Sequence, residues 1–176
     1  MSGRTKPRRY RPRTVTADIV TLAMHRASKP PAEDIEAVLA PMRAAFKALR
    51  EGVATELQWS VLASSVNVAM TIENQGVVTG LAAHLKAAET ALQGIYRRAM
   101  HAGAWKPTAL YYQEIEAIDE FIPLNKFQLE QLSRGEVIKA LDKAEAVIRS
   151  VGGTVIDIDQ LRRREQVQMN LIGAAS

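Results

Sequence analysis

The run TELQWSVLASSVNVAMTIE, from Thr55 to Glu73, decides the fold. Thr55 and Gln58 stand three residues apart. At that spacing a cap hydroxyl accepts from the N3 amide while the N3 side chain accepts from the cap's own amide, so a helix begins here. No charged side chain then appears from Leu57 to Ile72. On a helical period Trp59, Leu62, Val66 and Met70 share one side, and Leu57, Val61, Val68 and Ile72 cover another. A helix apolar over most of its circumference belongs among other helices. A membrane span is the competing reading. Sixteen uncharged residues interrupted by Gln58, Ser60, Ser64, Ser65, Asn67 and Thr71 fall short of the roughly 20 predominantly apolar ones a bilayer needs, so no membrane partner is expected.

The flanking sequence extends the same pattern. A short helix is expected from Thr16 to Arg26, stopped by Lys29-Pro30-Pro31. Glu33 to Arg50 spaces Ile35, Val38, Leu39, Met42, Phe46 and Leu49 along one face, with Pro41 expected to kink or split the helix and Gly52 to end it. Val77 to His101 carries a near-heptad stripe of Leu81, Leu85, Ala88, Leu92, Ile95 and Ala99, suited to antiparallel packing on its predecessor. Thr108 is positioned to cap a helix through Tyr112, Ile115, Ile118 and Phe121, which Pro123 then kinks or ends. Ser133 and Glu136 form a second capping-box pair, opening a helix to about Ser150 with Val137, Leu141, Ala144, Ile148 and Val151 on one stripe.

These segments give an all-α bundle of about five helices. Its organisation reads as a disordered basic arm over 1–14, a helical bundle over 15–151 and a C-terminal tail over 152–176, in which Thr154 to Asp159 alternates as a short strand would. A chain of 176 residues, 47% apolar and 5% aromatic, supports one core rich in small side chains. One five-helix bundle leaves part of the apolar surface on 57–72 and 81–99 uncovered, so a homo-oligomer is expected.

Charge is distributed unevenly. Arg4, Lys6, Arg8, Arg9, Arg11 and Arg13 are six of the chain's 23 basic residues, and no acid lies among the first thirteen positions. Taking those six from the formal +4 leaves −2 for residues 14–176. Pro7 and Pro12 block regular structure, and Tyr10 stands between two arginines with a ring able to stack on a base. Such an arm suits a polyanion, and nucleic acid, DNA before RNA, is the expected partner. Arg162, Arg163 and Arg164 form a secondary basic cluster. The uncharged 57–72 helix lacks the exposed Arg, Asn, Gln or Lys face of a recognition helix, so backbone or minor-groove contact is expected instead of base readout. The start lacks the apolar core of a signal peptide, which points to the cytoplasm or a particle made there.

Two stretches carry a resemblance: Arg9-Tyr10-Arg11-Pro12-Arg13, and Gly52-Val53-Ala54-Thr55 followed by Leu62 and Asn67. The chain resembles a group of uncharacterised small helical proteins of bacterial prophages and related mobile elements, which share a basic Tyr-Arg-Pro arm, a Gly-x-Ala-Thr helix start and a capped final helix. The resemblance implies a mobile-element setting and a similar bundle, and no activity.

Catalytic chemistry finds few candidates. With no cysteine, the chain offers neither a thiolate nor a Cys-ligated metal. His25, His84 and His101 lie on separate segments without ligand spacing, and no Glu has a His three residues on, so no metal or cofactor is expected. Phosphate-cradling glycine loops and the nucleophile-elbow pattern are absent too. Glu114, Glu116, Asp119 and Glu120 read as a solvated face. Trp59 and Trp105 read as packing residues before base-stacking platforms. Asn67 reads as a buried amide bonded to a neighbouring helix, or as one that sets the register of a partner. The expected function is a non-enzymatic nucleic-acid-binding accessory or regulatory protein. The alternative is a helical adaptor, inhibitor or structural protein whose arm docks on an acidic protein partner.

Overall fold

The computed structural model describes residues 16–150, which form α1 (Thr16–Ala27), α2 (Ala32–Arg50), α3 (Glu56–Asn74), α4 (Ala82–Ala99), α5 (Tyr112–Gln131) and α6 (Arg134–Ser150). The all-helical expectation holds among the described residues, with six helices where about five were expected. The arm and the segment after Ser150, including the strand expected over 154–159, lie outside them.

Helices α2, α3, α4 and α5 pack in a ring in which each touches the next and α5 closes on α2. Their shared interior holds Leu39, Met42, Leu62, Leu85, Ile95, Ile118 and Phe121, all fully buried. Buried alanines, among them Ala45, Ala69, Ala88 and Ala91, let the helix axes approach closely. On the outer side of α3, α6 adds a second, smaller cluster of Ile72, Val78, Leu132 and Ala140. That second cluster explains why α3 is apolar nearly all round: Leu62, Val66 and Ala69 serve the main core while Ile72 and the half-buried Val68 face the smaller one.

Local chemistry sets the helix ends. Thr55 Oγ1 accepts from the Gln58 amide at 3.2 Å and Gln58 Oε1 accepts from the Thr55 amide at 2.9 Å, the capping box the sequence predicts. Ser133 and Glu136 repeat it for α6. At the end of α2, Gly52 takes φ 69°, and the amides of Val53 and Gly52 reach back to the carbonyls of Ala48 and Leu49, a Schellman turn that disfavours any side chain at position 52.

Several expectations are corrected. α4 starts at Ala82 and not Val77, because Gly80 turns the chain at φ 98° and the Glu73 carboxylate accepts from the amides of Gly80 and Leu81 at 2.8 and 3.2 Å. Thr108 does not cap α5; the helix follows Tyr111, whose amide donates to Glu114 Oε2 at 2.9 Å. Pro41 and Pro123 lie at exposed positions inside unbroken helices, where water can solvate the carbonyl each ring leaves unpaired. Val38 and Leu141 were expected in the core and are about half exposed, since the buried stripes run through Ala45 and Ala48 on α2 and through Ala140 and Ala144 on α6.

Asn67 is exposed and not buried. It lies on a narrow polar stripe of Ser60, Ser64, Asn67, Thr71 and Asn74 at alternating four- and three-residue spacing, the one side of α3 turned toward solvent.

Candidate nucleic-acid interface

Arg4, Lys6, Arg8, Arg9, Tyr10, Arg11 and Arg13, together with Arg162, Arg163 and Arg164, lie outside the described residues. The described part supplies the body to which these segments are joined. Residue 15 leads into α1, which packs on α6. The end of α1 is pinned there: Arg134 donates its amide to the Ser28 carbonyl at 2.9 Å, its Nη2 to Asp34 Oδ2 at 2.9 Å, and its other terminal nitrogen to the His25 ring. Gly135 is part of this joint, because a Cβ there would come within 3.1 Å of the Arg26 carbonyl oxygen.

On the body, the most concentrated run of cations is Arg43, Lys47 and Arg50 at i, i+4 and i+7 on α2. They line an open cleft of about 780 Å³ with Phe46, Glu51, Asp119, Ile122 and Pro123. Most of that charge is already engaged. Arg43 bonds Glu36 at 2.6 Å, a hydrogen bond that raises the Arg43 pKa and lowers that of Glu36, and Lys47 stands 3.8 Å from Glu51. Arg50 lies over the Phe46 ring at 5.7 Å. With two carboxylates in the lining beside three cations, this cleft gives only a weak attraction for phosphate. The ladder is legible in the sequence from its i, i+4, i+7 spacing, a signal absent from the expectations above.

The aromatic side chains are committed to the fold. Trp59 Nε1 donates to the Leu92 carbonyl at 2.9 Å, and Trp105 Nε1 to the Ala54 carbonyl at 2.7 Å. Tyr96 completes a triangle of rings with them, 4.6 Å from Trp59 and 6.3 Å from Trp105, with the two indoles 6.2 Å apart, ring centre to ring centre. This trio fastens the α4–α5 connection onto the start of α3, so the indoles are packing residues.

The carboxylates of α5 divide. Glu116, Asp119 and Glu120 are exposed, as a solvated face requires, but Glu114 is buried. Its two oxygens meet Arg98 Nη1 and Nη2 at 2.8 and 2.6 Å, and the Arg98 guanidinium stacks 4.3 Å over the Tyr111 ring. The hydrogen bonds to Glu114 raise the Arg98 pKa above its ordinary value despite partial burial. Gly94 makes room for the pair, since a Cβ there would lie 3.1 Å from Glu114 Oε1. No local pattern in the sequence marks this fork, because Arg98 and Glu114 are distant in the chain and Tyr is not a usual helix cap.

The histidines are not brought together. His25 meets Arg134, His84 Nδ1 lies 3.0 Å from Glu120 Oε1, and His101 is exposed in the turn after α4. Among the described residues no three His, Asp or Glu side chains are placed to hold a metal, and no helix is long and apolar enough to cross a membrane. No family model, curated protein or solved structure matches this chain.

Proposed function

We propose that this chain is a non-enzymatic nucleic-acid-binding accessory or regulatory protein that grips DNA in preference to RNA, mainly through the arm of residues 1–13. One observation carries the reading: six cations sit without an acid in thirteen residues, while residues 14–176 are net −2. The body supports it by offering little competition, because the α2 cations are largely engaged by neighbouring acids and by Phe46. Arginines of the arm neutralise phosphates and Tyr10 stacks or wedges, so contact is with the backbone or minor groove and sequence preference is slight. The phage-like or plasmid-like setting rests on the resemblance of the arm and of the α3 start.

A binding titration of the full chain and of a variant lacking residues 1–13 tests this reading. Truncation is expected to leave the helical circular dichroism intact and to remove most affinity for duplex DNA. If all six cations meet phosphates, log affinity falls with log salt at a slope of about −5. Equal binding by both proteins overturns the arm-centred reading. Capture of an acidic protein that survives nuclease treatment, without salt-dependent DNA binding, establishes the adaptor reading in its place.

A further inference from the structure

The surface expected to drive self-association is used up inside one copy. Leu85, Ala88, Leu92, Ile95 and Ala99 on α4 are buried in the ring, and both apolar sides of α3 are packed by its neighbours. Unsatisfied apolar surface lies elsewhere. α1 exposes Ile19, Val20, Leu22 and Met24 by half or more, with Met24 at 70%, and α6 exposes Ile138, Leu141 and Val147. Seven of the thirteen large hydrophobic side chains exposed on the described residues thus sit on two helices that pack on each other. None of residues 19–29 is buried, although a helix of twelve residues is marginal in water without an apolar face to dock.

We propose that the α1/α6 face is the surface on which a second copy of this chain docks, giving a two-fold dimer. At roughly 100 Å² each, the seven side chains present on the order of 700 Å². With the stems of flanking lysines they approach the ~800 Å² per partner of a standard interface and lie above the roughly 300–600 Å² of the largest apolar patch on a typical monomer. The rim fits a self-pairing surface. Lys139 and Lys143 alternate with Asp142 and with the Glu145–Arg149 pair, itself closed at 3.0 Å, along α6, and a two-fold axis sets residue i against j and j against i, so both signs meet on an identical surface. A single-sign partner would leave half of that rim opposed by like charge.

The dimer has a functional consequence that rests on the nucleic-acid reading. Residues 1–15 lead into α1, so pairing through α1 joins two arms to one interface, and the second arm binds at high effective concentration without any new contact type.

Sedimentation equilibrium at high micromolar concentration is expected to give a dimer for the full chain and a monomer for the Leu22→Glu, Leu141→Glu double variant, with helical circular dichroism preserved in both. Hydrogen exchange on the unaltered protein supplies a readout that needs no variant: protection of α1 and α6 amides is expected to rise with protein concentration while that of α3 stays constant. A monomeric full chain overturns the proposal, and so does a dimer that the double variant leaves intact. Concentration-independent protection of α1 also overturns it, by making residues 151–176 of the same chain the cover. DNA titration of both proteins separates the two readings. A loss of about a hundredfold in the double variant supports the paired arms. A dimer that binds no DNA leaves the interface standing and removes the nucleic-acid reading.

Discussion

In the ring of α2 to α5, Leu39, Met42, Leu62, Leu85 and Phe121 are shut off from solvent, whereas on α1 and α6 side chains of the same kind, Leu22, Met24, Ile138 and Leu141, stand about half exposed or more. The difference is one of geometry and not of composition. A ring of four helices gives each member two neighbours, so an apolar stripe of ordinary width is covered from both sides. α6 packs on α3 and α1 and buries only Ala140 and Ala144, while α1 packs on α6 with none of residues 19–29 buried. What separates the two regions is how fully neighbouring helices cover each apolar stripe, which sets the stabilisation that one apolar side chain supplies.

The largest effect that sharpens this contrast is expected from Phe121→Ala, which empties a fully buried site and costs about 3–5 kcal/mol in denaturant unfolding. Met24→Ala removes a side chain as apolar but 70% exposed. Measured at concentrations dilute enough to keep the chain monomeric, it should change stability by no more than about 0.5 kcal/mol. A comparable loss from both variants would mean that α1 is covered within a single copy.

Next in size is the buried fork between α4 and α5. Glu114→Ala leaves the Arg98 guanidinium, stacked on the Tyr111 ring and about a quarter exposed, without its two carboxylate oxygen partners. The cost for a partly exposed pair of this kind is about 2 kcal/mol, below that of a fully buried one. Arg98→Met with Glu114→Met should recover much of it, since removing both charges leaves neither unpaired. Thermal or urea unfolding of the single and double variants reads this directly, and an additive double variant would show that the two side chains do not act as a pair.

A third, smaller effect concerns the helix starts. Thr55→Ala removes a hydroxyl that accepts from the Gln58 amide and should cost about 1 kcal/mol, while Thr108→Ala should cost almost nothing, because α5 begins after Tyr111. The same pair of residues shows how far the sequence could be read. Thr55 and Gln58, like Ser133 and Glu136, carry their signal within four positions, so the structure agrees with the pattern. Tyr111 and Glu114 use the same spacing with a residue that cannot serve as an ordinary cap, and the carboxylate's role depends on Arg98 from another helix. Asn67 fails for a different reason: an exposed stripe made of Ser, Asn and Thr has no charge to mark it, so α3 looked apolar all round. Periodicity set Leu141 on the buried stripe of α6 and marked no apolar face on α1, because it holds no information on how far neighbouring helices cover a side chain. The arm that carries the functional reading was legible as charge alone, and the body explains it only by contrast, through cations already engaged on α2.

The smallest effect is a pH dependence at the start of α6, the helix between ring and periphery. Glu136 accepts from the Ser133 amide and hydroxyl, each at 2.8 Å, and those hydrogen bonds hold its pKa below the ordinary 4.5. A carboxyl depressed in the folded state stabilises fully above the unfolded value and loses that contribution as pH falls through the folded one. Glu136→Gln keeps an oxygen able to accept the same bonds and removes only the charge at the helix N-terminus, whose worth is about 0.3–1 kcal/mol at low ionic strength. The two proteins should therefore differ by a constant amount at neutral pH and converge as the solution is acidified below about 4.5, with the difference shrinking at high salt. Paired thermal melts across the acid range check this. A difference that persists unchanged at low pH would assign the Glu136 contribution to side-chain shape and hydrogen bonding, and would leave α6 held by the few contacts of Ala140 and Ala144 without help from the charge at its start.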